Sequence, residues 1–158
     1  KDDLPAIIQM LDSQYSDLQR NGLETLCLLS KVNGNAINLL QSGIMTQIVR
    51  HIIHPTSTDC QIAATRIVAN VSSANESTKD AALQQSIQPI IRSLETSVTD
   101  VSVAELHRQN CLALAALAIP FHKEVIDHGA QSVLTRHLES DSTVLAREAQ
   151  RAITAMTV

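Results

Sequence analysis

Leu4-Pro-Ala-Ile-Ile-Gln-Met-Leu11 aligns without a gap on Met45-Thr-Gln-Ile-Val-Arg-His-Ile52, on Ile87-Gln-Pro-Ile-Ile-Arg-Ser-Leu94 and on Gln131-Ser-Val-Leu-Thr-Arg-His-Leu138. Each segment carries apolar residues at its fourth and eighth positions, the spacing that places two side chains on one face of a helix. The fourth-position residues Ile7, Ile48, Ile90 and Leu134 lie 41, 42 and 44 positions apart. A polar turn follows each copy: Asp12-Ser13, His54-Pro55-Thr56, Glu95-Thr96-Ser97 and Glu139-Ser140-Asp141. Self-similarity at such a period marks a repeat architecture, in which each unit buries its apolar face only against its neighbours.

Working outward, a longer Ala- and Leu-rich segment comes next every time. These segments run Leu18-Gln-Arg-Asn-Gly-Leu-Glu-Thr-Leu26, Cys60-Gln-Ile-Ala-Ala-Thr-Arg-Ile-Val68, Leu106-His-Arg-Gln-Asn-Cys-Leu-Ala-Leu114 and Leu145-Ala-Arg-Glu-Ala-Gln-Arg-Ala-Ile153. A matching apolar residue recurs just beyond, at Leu29, Val71, Leu117 and Met156. Together they predict a further, longer helix with one apolar face. Gly22, Ala64, Asn110 and Ala149 share a position in the four copies. All are small or modest, so a neighbouring helix can approach closely there.

Two of the three junctions between units carry a further short element ending in glycine, Asn35-Ala-Ile-Asn-Leu-Leu-Gln-Ser-Gly43 and His122-Lys-Glu-Val-Ile-Asp-His-Gly129. Glycine suits the left-handed residue that ends a helix before a sharp turn. The middle junction, residues 76–86, has Ser86 in that place. The 12 positions between Leu94 and Leu106, against 7 or 8 in the other units, predict a long polar loop over Thr96 to Glu105, a candidate contact site.

Three helices per unit of about forty residues, with the short first one ended by Gly, resemble armadillo repeats. Leu4-Pro-Ala-Ile-Ile-Gln-Met-Leu-Asp-Ser13 is similar to the family's second helix, and Ala64-Thr-Arg-Ile-Val-Ala-Asn-Val71 to its third. The resemblance covers nearly the whole chain and implies an all-α, right-handed superhelix of about four repeats. We read residues 1–158 as a single domain with approximate repeats 4–43, 44–86, 87–129 and 130–158. The HEAT family, with two helices per unit and no Gly-ended short one, is the other fold considered.

The resemblance also implies a concave groove lined by the third helices, where a ladder of Asn side chains holds a peptide by its backbone. An Asn carboxamide offers a donor and an acceptor, so it can pair with a peptide group whatever the sequence. The ladder positions here are Leu28, Asn70, Ala116 and Ala155, a single surviving rung. The Trp positions four residues earlier hold Glu24, Arg66, Leu112 and Arg151, which disfavours an importin-like grip on a basic peptide. Helical spacing puts Asn21, Glu24 and Leu28; Ala63, Arg66 and Asn70; Gln109, Leu112 and Ala116; and Glu148, Arg151 and Ala155 on that face. The partner-binding residues expected are therefore Asn21, Glu24, Arg66, Asn70, Gln109, Leu112, Glu148 and Arg151. Their mixed charges, amides and apolar groups suit a folded partner or an amphipathic helix.

Chemistry is poorly provided for. His51, His54 and Cys60 form H-x2-H-x5-C, whereas a structural zinc site needs four ligands with paired short spacings. His51 and His137 share one repeat position, which points to packing against the preceding helix. His107 and Cys111, four residues apart, lack the turn and oxyanion donors that a nucleophile and base require. Glu139 and Asp141 lie in a turn and read as caps for the following helix. No phosphate-binding loop or dinucleotide fingerprint occurs. We expect no enzyme activity, no cofactor and no metal.

Composition narrows the rest. Hydrophobic residues make up 44% and charged residues 18% of the 158, a globular balance with one domain's length. Tyr15 and Phe121 are the only aromatics, so the core must be aliphatic. The net charge of -4 and the missing rings argue against nucleic acid. No apolar run is long enough to span a membrane. Cys27, Cys60 and Cys111 are odd in number and widely spaced, and read as free buried thiols. Of two glycosylation sequons, Asn70-Val-Ser72 falls inside an apolar helix and the other is Asn75-Glu-Ser77. Cytosol or nucleus is favoured over secretion. The opening Lys1-Asp2-Asp3 reads as the start of a piece of something longer. The expected function is a protein-binding scaffold or adaptor segment. The alternative is a structural segment that self-associates, or docks on its own parent chain, through the uncapped solenoid ends.

Overall fold

The computed structural model describes residues 3–74 and 79–157. Over these, ten helices follow one another and no strand occurs: α1 (Leu4–Leu11), α2 (Ser16–Ser30), α3 (Asn33–Ser42), α4 (Met45–Ile53), α5 (Thr58–Ala74), α6 (Ala81–Leu94), α7 (Val101–Leu117), α8 (His122–Asp127), α9 (Ala130–His137) and α10 (Thr143–Met156). The second sequon, Asn75-Glu76-Ser77, lies outside the described residues.

Two rows of helices run along the stack. The third helices pack in the order α2, α5, α7, α10, and the second helices in the order α1, α4, α6, α9. Between the rows lies one continuous aliphatic core. The residues that set the repeat are in it: Ile7, Ile48, Ile90 and Leu134 are all buried, as are Leu26, Val68 and Leu114. Burying each such side chain contributes about 1.5–3 kcal/mol. Leu18 and Leu29 are exceptions, 42% and 37% exposed, because α2 lies in the first layer and no further layer covers that side among the described residues.

Close approach at the small position is real. A Cβ on Gly22 would stand 3.1 Å from Met10 Cβ and 3.3 Å from Leu11 Cδ2, so α1 lies directly over the α2 backbone there. Gly43 and Gly129 adopt φ of 81° and 82° at the ends of α3 and α8, the left-handed turns expected of them. Side chains other than glycine resist that conformation by roughly 1–2 kcal/mol.

The structure corrects two expectations and shows what Ser86 does where the other junctions have Gly. Among the described residues of the middle junction, Ser86 makes no turn: α6 runs unbroken from Ala81 through Ser86 and Pro89 to Leu94, joining residues 81–86 to the second helix. Ser86 is fully buried and its hydroxyl donates to Leu83 O at 2.6 Å, so this residue continues the helix where glycine would break it. Ser86→Gly is therefore expected to cost about 1 kcal/mol through helix propensity, with a further loss from the buried hydrogen bond, readable in a urea titration. An increase in stability would show that a glycine turn is the preferred state there.

The first correction is that the expected loop over Thr96 to Glu105 is half helix. Asp100 caps α7, accepting from Val103 N–H at 2.9 Å, so residues 101–105 form its first turn. The second is that neither Glu139 nor Asp141 caps α10; Ser142 does, accepting from Leu145 N–H.

Candidate functional site

The third-helix row carries an open depression of about 330 Å³ between α5 and α7. Lys31 reaches it from the end of α2, Arg66, Asn70 and Ser73 from α5, and Arg108, Gln109 and Leu112 from α7. Arg66, Asn70, Gln109 and Leu112 are four of the eight residues expected from the sequence, and the fold brings them together. The other four do not line it, although Glu148 is near enough for its charge to act on Arg108. Asn21 and Glu24 are exposed on α2, and Arg151 is exposed on α10, 3.5 Å from Glu148.

Glu105, at the end of the first turn of α7, organises the polar side of this depression. Its carboxylate accepts from Arg108 Nε at 2.9 Å and Arg108 Nη2 at 2.8 Å, a two-pronged pair. It also accepts from Gln109 Nε2 at 2.9 Å and from Arg66 Nη2 at 3.3 Å across to α5. The Arg108 hydrogen bonds, then those of Gln109 and the nearby Arg66 charge, outweigh desolvation and hold the Glu105 carboxyl below the usual carboxylate range. The same Glu105 hydrogen bonds push the Arg108 guanidinium up. Gln109 is buried, with its amide committed to Glu105. It acts as a support more than as a contact. Asn70, the single ladder residue, gives one amide proton to Ser30 Oγ at 2.9 Å, and Ser30 donates in turn to Cys27 O.

Sequence reasoning missed Glu105, Arg108 and Lys31. The available signal was Asp100, a good N-cap residue five positions before Glu105. It was masked because α2, α5 and α10 each begin two residues before the aligned Leu18, Cys60 and Leu145, whereas α7 begins five before Leu106.

Four of the six histidines serve helix ends. His51 Nε2 lies 3.2 Å from Leu11 O, and His137 Nε2 lies 2.7 Å from Leu94 O. Each bridges a second helix to the last carbonyls of the preceding one, groups that a helix leaves without internal partners. This is the physical content of the repeat position that they share. His122 Nε2, at the start of α8, meets the carbonyl that ends α10, Met156 O, at 2.6 Å. His107 covers the unit in which Ser93 stands at the repeat position, bonding Ser93 O at 3.1 Å. His51 thus serves α1, while Cys60 Sγ faces Ser16 O at 4.0 Å and His54 is exposed, so the three residues of the zinc reading have separate surroundings.

All three cysteines are free and buried. Burial pushes the Cys111 thiol up to about 12, with the nearby Glu148 charge adding to it. Iodoacetamide should therefore label native Cys111 at pH 8 at least roughly 100-fold more slowly than the urea-unfolded chain, since the thiolate is the reactive form. Comparable rates, followed by mass spectrometry, would show this thiol to be accessible and activated.

No family model and no curated protein matches the chain. Solved structures do. An engineered protein superposes with a TM-score of 0.83 at 22% identity, over 98% of this chain and 62% of that one. A designed armadillo repeat protein in complex with the peptide (KR)4 gives 0.83 at 22%, over 96% and 63%. A computationally designed armadillo repeat protein for modular peptide recognition gives 0.78 at 18%, over 94% and 62%. This chain thus spans 62–63% of the length of these three proteins. At such identities the likeness is one of fold.

Proposed function

From a chain whose fold is the right-handed, all-α solenoid of armadillo repeats, we propose a protein-interaction segment that binds a protein or peptide partner along the concave face formed by α2, α5, α7 and α10. The observation that carries this reading is the solvent-open depression on that row, in which Arg66, Asn70, Gln109 and Leu112 converge from two adjacent helices. Leu112 offers an apolar floor and Asn70 an amide, a combination that suits a peptide side chain beside its backbone. Two of the designed relatives in fold bind or are intended to bind peptides, which supports the same use here. The segment acts as a scaffold or adaptor and not as an enzyme. Its buried free thiols fit a reducing compartment, cytosol or nucleus. No helix among the described residues is long and apolar enough to cross a membrane.

An array of immobilised octapeptides of varied composition tests this reading. The unmodified chain should retain a subset, and the pair Asn70→Ala with Leu112→Gln should weaken retention about tenfold or more while leaving the helical circular dichroism intact. Arg136→Gln, an exposed change on α9 in the other row, should have no effect. Binding that survives the pair and is lost with Arg136→Gln would place the partner on the opposite face.

A second reading, self-association, rests on the first layer. Leu4, Leu29 and Leu39 line an open recess of about 130 Å³ there together with Asn35 and Asn38, and Val32 is exposed nearby in sequence. Its check is the mass in solution of the chain and of Ile8→Lys.

A further inference from the structure

We infer that the depression between α5 and α7 selects acidic peptide segments, holding a carboxylate in the place of a counter-ion that the protein now supplies itself. The inference rests on the groove reading above and names the chemistry of the partner. Three cations, Lys31, Arg66 and Arg108, line the depression, and against them stand one carboxylate at its polar side, Glu105, and the charge of Glu148 near Arg108. This positive mouth sits on a chain whose formal net charge is -4, so it is a local feature and not a reflection of composition. Leu112 and Ala69 supply apolar surface between the cations, room for an aliphatic side chain beside an acidic one.

Glu105 is the second, independent observation. It shows what these donors are arranged to hold: a single carboxylate taken bidentately by Arg108 and shared with Arg66 on the neighbouring helix. Planar guanidinium forks match carboxylates in this way, and do so better than they match neutral amides. The three side chains are only about a third exposed, 37% for Arg66 and 33% for both Glu105 and Arg108, so water screens the cluster partially. A partner's carboxylate arriving at the open side competes with Glu105 for the outer N–H groups of both arginines and meets Lys31 as well. Glu105 then acts as an internal competitor that keeps the arginines oriented while the groove is empty.

An internal competitor and a purely structural ion pair differ in sign for the effect of Glu105→Gln. Fluorescein-labelled octapeptides (Asp-Glu)4, (Ser-Gly)4 and (Lys-Arg)4, with a single-stranded uridine octamer, are titrated against the full chain by fluorescence anisotropy at low and physiological salt. The acidic peptide should bind tightest, at least tenfold better than the basic one, and should weaken with salt. Arg66→Gln and Lys31→Gln should each weaken it roughly two- to fivefold. Glu105→Gln should tighten it by a similar factor, because the competitor is gone, even if thermal stability falls slightly.

A groove-dependent preference for the neutral or basic peptide, lost in the Asn70→Ala and Leu112→Gln pair, would overturn the acidic assignment and leave the groove reading standing. Acidic binding that ignores every groove substitution would overturn both. The uridine octamer binding more tightly than (Asp-Glu)4, or Glu105→Gln leaving the acidic affinity unchanged or weaker with the fold intact, would overturn the inference as well.

Discussion

Phe121→Ala should lower the stability of the chain by about 3–5 kcal/mol and its Tm by roughly 6–20 °C. Phe121 is the largest fully buried side chain, 1% exposed, in a core otherwise made of Leu, Ile, Val, Ala, Met and Cys. It sits at the bend between α7 and α8, where its N–H donates to Leu117 O and its carbonyl accepts from Val125 N–H, so the backbone holds the ring in place. Aliphatic neighbours packed at crystal-like density cannot swell to fill the space, and a cavity term adds to the lost transfer energy. Because each layer of a solenoid is stabilised only by adjacent layers, the damage should be local. Amide exchange in α9 and α10 should accelerate more than in α4 and α5. A loss below about 1 kcal/mol in urea titration, with uniform exchange along the chain, would show that the site collapses around the deletion.

His107→Ala is expected to cost about 2–4 kcal/mol, combining a buried void with the loss of the imidazole hydrogen bond to Ser93 O, which keeps its bonds from Thr96 N–H and Oγ1. His107 is fully buried, and its Nε2–H is shared between Ser93 O and Thr96 Oγ1, both at 3.1 Å. Its ring meets that of His137 edge to face at 5.0 Å. The variant should also flatten the dependence of stability on pH. Burial, followed by the His137 charge, pushes the His107 imidazolium below the usual histidine range, and burial does the same for His51. The folded state therefore favours the neutral rings. Stability is full above about pH 6.5, where the unfolded histidines are also neutral. It declines as pH falls from there toward the lower folded-state values, because the unfolded chain takes up protons first. Urea titrations at pH 7.5 and 5.5 should show the unmodified chain losing more stability than His107→Ala, which retains only the His51 contribution. Equal losses would remove His107 from the account.

Much of this architecture was legible in the chain. Ile7, Ile48, Ile90 and Leu134 recur at nearly one period because each must meet the same neighbour in the next layer, and all four are buried. Gly43 and Gly129 announced their turns because a positive φ leaves few alternatives to glycine. The shared position of His51 and His137 was visible as well, although its reason, a carbonyl 40 or 43 residues away, was not. Of the site, Arg66, Asn70, Gln109 and Leu112 could be read by helical spacing, since positions four apart share a face whatever the surroundings.

The remainder depended on distances between chain segments. Ser86 has no marked helix or turn preference, and only burial with a hydroxyl bond to Leu83 O makes it helical. Alignment of the repeats assigned residues 101–105 to a loop, while the structure winds them onto α7 and so delivers Glu105 to Arg66, 39 residues earlier.

The sequence by itself determined the layered helical rod, because apolar periodicity and left-handed turns are set by burial and short-range sterics within a few residues. Only the tertiary structure decided which charges meet in the depression between α5 and α7. A helix that starts one turn early changes no apolar rhythm, yet it moves a carboxylate by several ångströms, and hydrogen bonds form or fail over less than one.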